Sequence, residues 1–277
     1  MAQVRGYELI DAGDERRLER FGPVVVDRPA PGADEPLRDA EAWSSATLRF
    51  DQARGWERVE AGGFESWVVE VEALTLELRP TATGQVGLFP EHASQLEWLR
   101  TAVKSQSASR PAVLNMFAST GLATLGLAAA GAAVAHVDAA RPAVAWARRN
   151  ADLSRLTDRP IRWLVDDALG FVKREARRSR EYQGLVLDPP SYGHGGGRTW
   201  RLEDDLSLLL EACREVLTPD AFVLLTAHTP GFGPDRLARE LAATLRRPTS
   251  AVEAGELALD ARSGARLALG AFARVAG

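Results

Sequence analysis

The chain has 277 residues and a mass of 30.0 kDa, 45% hydrophobic and 26% charged, which suits one large domain or a core with a small satellite and excludes disorder. No apolar run reaches the roughly 20 residues of a membrane-spanning helix, and the opening MAQVRGYELIDAGDERR is too polar for a secretion signal, so a cytoplasmic protein without a membrane partner is expected. Lys and Arg number 34 against 38 Asp and Glu, a net charge of -4 that leaves nucleic acid to a local patch, and the single Cys213 excludes disulfides, a Cys-rich zinc site and any two-cysteine mechanism.

Up to residue 90, short strands alternate with Gly and Pro: YELI, PVVVD, SSATLRF, WERV, SWVVEVE, LTLELRP and GQVGLF. They predict a small mainly-β domain over residues 1–90, interrupted by two hydrophilic, turn-rich loops, RPAPGADEP from Arg28 and ARGWERVEAGG from Ala53. EHASQLEWLRTAVKSQ, from Glu91, spaces Leu96, Leu99 and Val103 as a helix does and opens a second domain over 91–277. From Pro111, the apolar strands AVLNMF, AAVAHVD, IRWLVDD, GLVLDPP and AFVLLTAHT alternate with segments long enough for crossover helices. This pattern predicts an α/β, doubly wound, Rossmann-like sheet. ELALD and LALGAFARV, joined by ARSGAR, predict an antiparallel C-terminal hairpin at its edge.

In such a sheet ligands gather beyond the carboxyl ends of the strands, so the residues just after each strand carry the chemistry. The first exit, NMFASTG, is a small-residue loop running directly into a helix, which lets backbone amides approach a carboxylate or phosphate. It lacks the three glycines of a pyrophosphate cradle, and no GxxxxGK[ST] is present. The second strand ends in Asp138, placed to accept from a ribose diol. The third ends in Asp166 and Asp167, and the fourth in Asp188-Pro189-Pro190-Ser191-Tyr192-Gly193.

These four exits in order resemble class I S-adenosylmethionine-dependent methyltransferases. The resemblance implies S-adenosylmethionine as cofactor, no metal, and a first loop of Asn115, Phe117, Ala118, Ser119 and Gly121 holding the methionine part. It also implies Asp138 on the ribose, Asp167 near the adenine amine, and Asp188, Pro189, Pro190 and Tyr192 at the chemistry. ARRNADLSRL, from Ala147, is similar to the family's second helix. GQVGLFPEHASQLEW resembles the segment that precedes the cofactor fold in the RlmI and RlmK kind of large-subunit ribosomal RNA methyltransferase, where the stretch usually reads GFFLDQR. Phe89-Pro90-Glu91-His92 replaces it here, with Phe89, His92 and Gln95 as the residues able to reach the cofactor.

Chemistry separates the branches. Methylating carbon 5 of cytosine needs a thiolate that adds to the ring. Relatives with that activity place Cys after the fifth strand, where this chain has His228 and Thr229, while Cys213 sits inside the helix LSLLLEACREVL at core spacing. An amine or ring nitrogen already has a lone pair, which a carbonyl of the DPP segment and the Tyr192 face can orient. The expected function is direct methyl transfer to a nitrogen of RNA, ribosomal RNA by resemblance. The alternatives are methylation of a protein side-chain nitrogen and an inactive cofactor-binding scaffold. Arg198 and Arg201, after the glycine run from Gly195 to Gly197, are expected to meet phosphate, and the loop from His194 to Trp200 to order only with substrate. His136 reads as a core histidine, KREARRSRE from Lys173 as a solvated helix face or, alternatively, an RNA backbone contact, and oligomerisation is left open.

Overall fold

The computed structural model describes residues 4–59, 65–195 and 198–277, with backbone alone at 4–5, 194–195 and 198. Gly196, Gly197 and the end of the loop expected from Ala53 lie outside the described residues. The chain forms two compact units, Met1–Ser94 with Leu257–Leu269, and Gln95–Glu256 with Gly270–Gly277. The boundary expected after residue 90 thus falls four residues later, and the tip of the C-terminal hairpin groups with the first unit.

The first unit holds strands β1 (Val4–Arg5), β2 (Tyr7–Gly13), β3 (Arg16–Phe21), β4 (Val24–Pro29), β5 (Leu48–Asp51), β6 (Gly55–Arg58), β7 (Trp67–Val71) and β8 (Leu74–Leu78). They make a five-stranded sheet in the order β2-β3-β4-β5-β6 and a three-stranded sheet β1-β7-β8. Strand β3, RRLERF, gives no apolar alternation in sequence. It is buried because Arg17 and Glu19 lie together on one face with Arg28 of β4, with Arg28 Nε 2.6 Å from Glu19 Oε2. GQVGLF is not a strand: Gly84 (φ 79°) and Gly87 (φ 95°) take left-handed conformations that a ladder does not accept.

The loop after Arg28 acquires its role from one carboxylate. Asp11 is fully buried and accepts from Ala12 N (3.0 Å), Arg38 N (3.2 Å), Asp39 N (3.0 Å), Trp43 Nε1 (2.9 Å) and Ser263 Oγ (2.6 Å). Burial pushes its pKa up, but these donors outweigh burial and leave it below the usual carboxylate range.

The second unit is the alternating core. A 3₁₀ turn at Pro90–Gln95 leads into α1 (Leu96–Ser105), followed by β9 (Ala112–Met116), α2 (Leu122–Ala129), β10 (Ala133–Asp138), α3 (Arg141–Leu153), β11 (Ile161–Val165), α4 (Ala168–Arg177) and β12 (Tyr182–Leu187). Then come β13 (Tyr192–Gly195), β14 (Arg198–Arg201), α5 (Leu202–Arg214), β15 (Leu217–Ala227), α6 (Pro234–Leu245), β16 (Glu253–Asp260) and β17 (Arg266–Val275). The main sheet runs β11-β10-β9-β12-β15-β17-β16, parallel from β11 to β15, with β17 antiparallel to β15. Chain order reverses beside β9, so the switch point lies between β9 and β12. Of the segment from His194 to Trp200, the described residues pair in the antiparallel ladder of β13 and β14, His194 opposite Thr199 and Gly195 opposite Arg198, with Tyr192 opposite Arg201 and Gly193 opposite Trp200. Cys213 is 1% exposed within the main core, and burial raises its thiol pKa strongly.

Asp11→Ala leaves part-buried N–H and O–H donors without their acceptor and removes the tie among β2, the 38–43 loop and the turn at Ser263. Urea unfolding should show a loss of about 3 kcal/mol or more. Wild-type stability held by this group should fade as pH drops below the unfolded carboxylate value of 3.8.

Candidate active site at the strand exits

The exit of β9 is a loop in which every second residue is left-handed: Phe117 (φ 56°), Ser119 (φ 47°) and Gly121 (φ 91°). Non-glycine residues adopt this region only when their surroundings over-determine it. Here Asp138 does so, its Oδ2 accepting from Ser119 N (2.8 Å) and its Oδ1 from Ala140 N (2.8 Å). Burial raises the Asp138 pKa, and the two backbone donors oppose that shift. Gly121 caps α2, where a Cβ would lie 3.0 Å from the Cβ of Ala147 on α3, so helix packing as well as backbone geometry requires glycine. Such alternation curls the backbone at a helix N-terminus, where Ala118 N donates to Val137 O (3.2 Å) and Gly121 N to Ala118 O (3.0 Å).

Asn115 stands apart from this loop. It is 2% exposed, and its Nδ2 donates to Thr124 Oγ1 (2.8 Å), which lies 2.9 Å from His136 Nδ1. A hydroxyl has one proton and two acceptor lone pairs, so this contact serves Nδ1 as donor or as acceptor and leaves the other ring nitrogen, Nε2, to its surroundings. That Nε2 is buried without a partner, and burial lowers the pKa of His136 to about 3, so the ring is neutral. The expected core histidine is therefore a member of a buried polar chain, in which Asn115 bonds to Thr124 on α2 rather than facing the exit.

Asp167 is the N-cap of α4, its Oδ1 accepting from Gly170 N (2.7 Å), while Asp166 is paired to Arg174. Of the basic run from Lys173, Arg174 and Arg178 are thus engaged by Asp166 and Glu175.

At the β12 exit, Asp188 Oδ1 accepts from Thr226 Oγ1 (2.6 Å) and lies 3.2 Å from His228 Nε2. Ser191 Oγ meets Thr229 Oγ1 at 2.6 Å. Trp200 Nε1 donates to the Pro190 carbonyl (2.7 Å), and its ring packs on Phe117 with centroids 5.2 Å apart. One tryptophan thus ties the DPPSY turn to the first loop. Tyr192 is 53% exposed. Arg201 is exposed, with its backbone N donating to Asp205 Oδ2 (2.8 Å), whereas the side chains of His194 and Arg198 lie outside the described residues. Sequence reasoning missed Thr226 and Trp200. A lone threonine near the end of the apolar strand AFVLLTAHT was the only signal for the first.

Phe89 and His92 belong to the first unit, their rings 6.1 Å apart. Gln95 is buried in the second, its Oε1 accepting from Arg274 Nη1 (2.9 Å).

The sheet order and the loop at its switch point define a nucleotide-cofactor methyltransferase fold. A family model for S-adenosylmethionine-dependent methyltransferases matches residues 42–254, and the chain belongs to that family. Its cofactor is S-adenosylmethionine. It is similar to the ribosomal RNA large subunit methyltransferase K/L of Hahella chejuensis, 29% identical over 194 residues, 68% of this chain and 24% of the relative. The same-named enzyme of Methylococcus capsulatus is 26% identical over 219 residues, 78% of this chain and 28% of that one. The chain therefore spans about a quarter of the length of these curated relatives. The S-adenosylmethionine-dependent methyltransferase from Agrobacterium tumefaciens superposes with a TM-score of 0.91 at 34% identity, covering 100% of this chain and 92% of that one. A methyltransferase solved with S-adenosylhomocysteine shares the fold, with a TM-score of 0.76 at 14% identity over 99% of this chain and 76% of that one.

Because His136 is neutral and buried when folded but titrates near 6.5 when unfolded, protonation favours the unfolded chain. Stability should be complete above pH 6.5 and fall as pH drops from 6.5 toward about 3, by up to about 5 kcal/mol. Urea titrations of wild type and His136→Gln across this range check it, since the variant should lose this part of the slope.

Proposed function

We propose that this methyltransferase acts on a nitrogen of RNA, with ribosomal RNA as the substrate class. The observation that carries the reading is the Asp188–Tyr192 exit: a carboxylate fixed by Thr226 and His228, an exposed tyrosine beside it, and the chain's only thiol buried in the core. Covalent addition to a pyrimidine ring has no thiolate to start from. The large-subunit ribosomal RNA methyltransferase names of the relatives support the substrate class.

The 117–121 loop fits the cofactor's methionine carboxylate, and Asp138, already holding that loop, fits its ribose diol. Phe117, Ala118, Ser119 and Gly121 then supply backbone, and Asp167, through its remaining oxygen, the adenine amine. When bound, S-adenosylmethionine supplies a methyl group on a sulfonium. Asp188 and the Pro189 carbonyl accept the two N–H bonds of an exocyclic amine, which turns the nitrogen lone pair toward the cofactor site. Pro190's carbonyl is held by Trp200 and fixes the turn instead. Tyr192 offers its face to the base, and Arg198 and Arg201 meet the backbone phosphates.

Asp138→Ala should weaken S-adenosylmethionine binding by about 1.5–3 kcal/mol, read by calorimetry on the folded variant. Cys213→Ala should turn over as wild type does, and a folded but inactive variant would refute direct transfer. Tyr192→Ala should slow single-turnover methylation, and Arg201→Ala should weaken RNA binding and flatten its salt dependence, both with cofactor affinity intact. Mass spectrometry of ribosomal RNA and ribosomal proteins from a deletion strain identifies the substrate: a missing methyl on protein alone overturns the RNA reading.

A further inference from the structure

The buried charges of the first unit do more than balance one another. Arg17 and Arg28 are 6% and 2% exposed and flank Glu19, which is fully buried. Glu19 is consumed by its neighbours: Tyr7 OH donates to Oε1 at 3.0 Å, Arg28 Nε donates to Oε2 at 2.6 Å, and Arg17 Nε lies 3.3 Å away at ion-pair rather than hydrogen-bond geometry. Arg28 Nη1 donates to Gln85 Oε1 (2.7 Å). After these bonds, Arg17 Nε, Arg17 Nη1 and Arg28 Nη2 remain buried with no partner. A guanidinium has donors only and does not lose its proton, so among the described residues these atoms are left without an acceptor, as Glu91 Oε2 nearby is left without a donor.

Both arginines line a cavity of about 340 Å³, at the small end of the range for ligand sites. Pro29, Phe50, Thr83 and Gln85 share its wall, and among the described residues no acidic side chain does. The other carboxylate whose field reaches both arginines, Glu91, is not part of that lining. The wall is built in advance. Gln85 O accepts from Thr81 N (2.9 Å), Trp56 Nε1 donates to Thr81 O (2.6 Å), and Gly84, at φ 79°, packs so closely on the Phe50 ring that a Cβ would overlap it.

We infer that this cavity is a phosphate-binding site in the first unit, separate from the methyltransferase site. A tetrahedral phosphate can accept from two guanidinium groups approaching from different directions, whereas a planar carboxylate is matched by one fork. The phosphate is that of a free nucleotide or of an RNA strand, sources that share this chemistry.

Calorimetry of the full chain, with S-adenosylhomocysteine in excess to fill the cofactor site, tests this with inorganic phosphate, AMP and a short RNA. Inorganic phosphate should bind the wild type. AMP binding more tightly than phosphate assigns a free nucleotide, and RNA binding more tightly than both assigns a strand. Thr83→Glu, an exposed change that puts a carboxylate on the wall, should weaken phosphate about tenfold and leave the melting temperature and S-adenosylmethionine affinity unchanged. Arg17→Gln should abolish phosphate binding in a chain that still binds S-adenosylmethionine. Flat titrations of the wild type at tens of millimolar phosphate, or equal binding by Thr83→Glu, overturn the inference.

Discussion

The carboxylate of Asp138 is the constraint on which the catalytic half of the molecule depends. It ends β10, yet both of its oxygens reach for backbone: one for Ser119 in the loop after β9, the other for Ala140 at the start of α3. A loop with left-handed residues at 117, 119 and 121 is held against its own preferences by that acceptor and by the packing of Gly121 on Ala147. The shape of the loop is thereby fixed before any ligand arrives, and little ordering is left for binding to supply. The same carboxylate is proposed to meet the ribose, so the group that shapes one part of the cofactor site would recognise another.

The supports of this half come from far along the chain. The Asn115, Thr124 and His136 chain ties β9 to α2 and β10 with buried polar atoms that satisfy one another except at His136 Nε2. Trp200 supports the loop itself, bonding the DPPSY turn while stacking on Phe117. The turn and the loop are therefore coupled through one side chain on β14, part of a segment expected to lack order. That segment carries glycines at 195, 196 and 197, and its described flanks are held by the Trp200 bond to Pro190 and by the ladder to Tyr192.

The first unit follows a different principle. Its β3 strand is charged, and what makes it a core strand is the pairing of the buried Glu19 with Arg17 of the same strand and Arg28 of the next. Its long loop is fixed by the five donors that converge on Asp11, one of them, Ser263, supplied by the C-terminal hairpin tip. Breaking a buried ion pair by removing one partner is costly even when the pair adds little net stability, so these clusters specify the fold more than they strengthen it.

What the sequence by itself determined is whatever repeats locally. The alternation of apolar runs and amphipathic segments from Pro111 onward fixed a doubly wound sheet, and the acidic and DPPSY residues at its strand ends marked the site, because strand ends and period are local properties. Cys213 was likewise legible as core from its helical spacing. Only the tertiary structure decided which polar residues face the ligand and which support it. Asn115, Thr226 and Trp200 are ordinary in sequence and acquire their roles from partners 9, 38 and 10 residues away. RRLERF was not among the expected strands, because one of the two arginines that share its buried Glu19, Arg28, stands on the neighbouring strand. Hydrogen bonds and ion pairs between distant residues leave no period in the chain, and those interactions set the site.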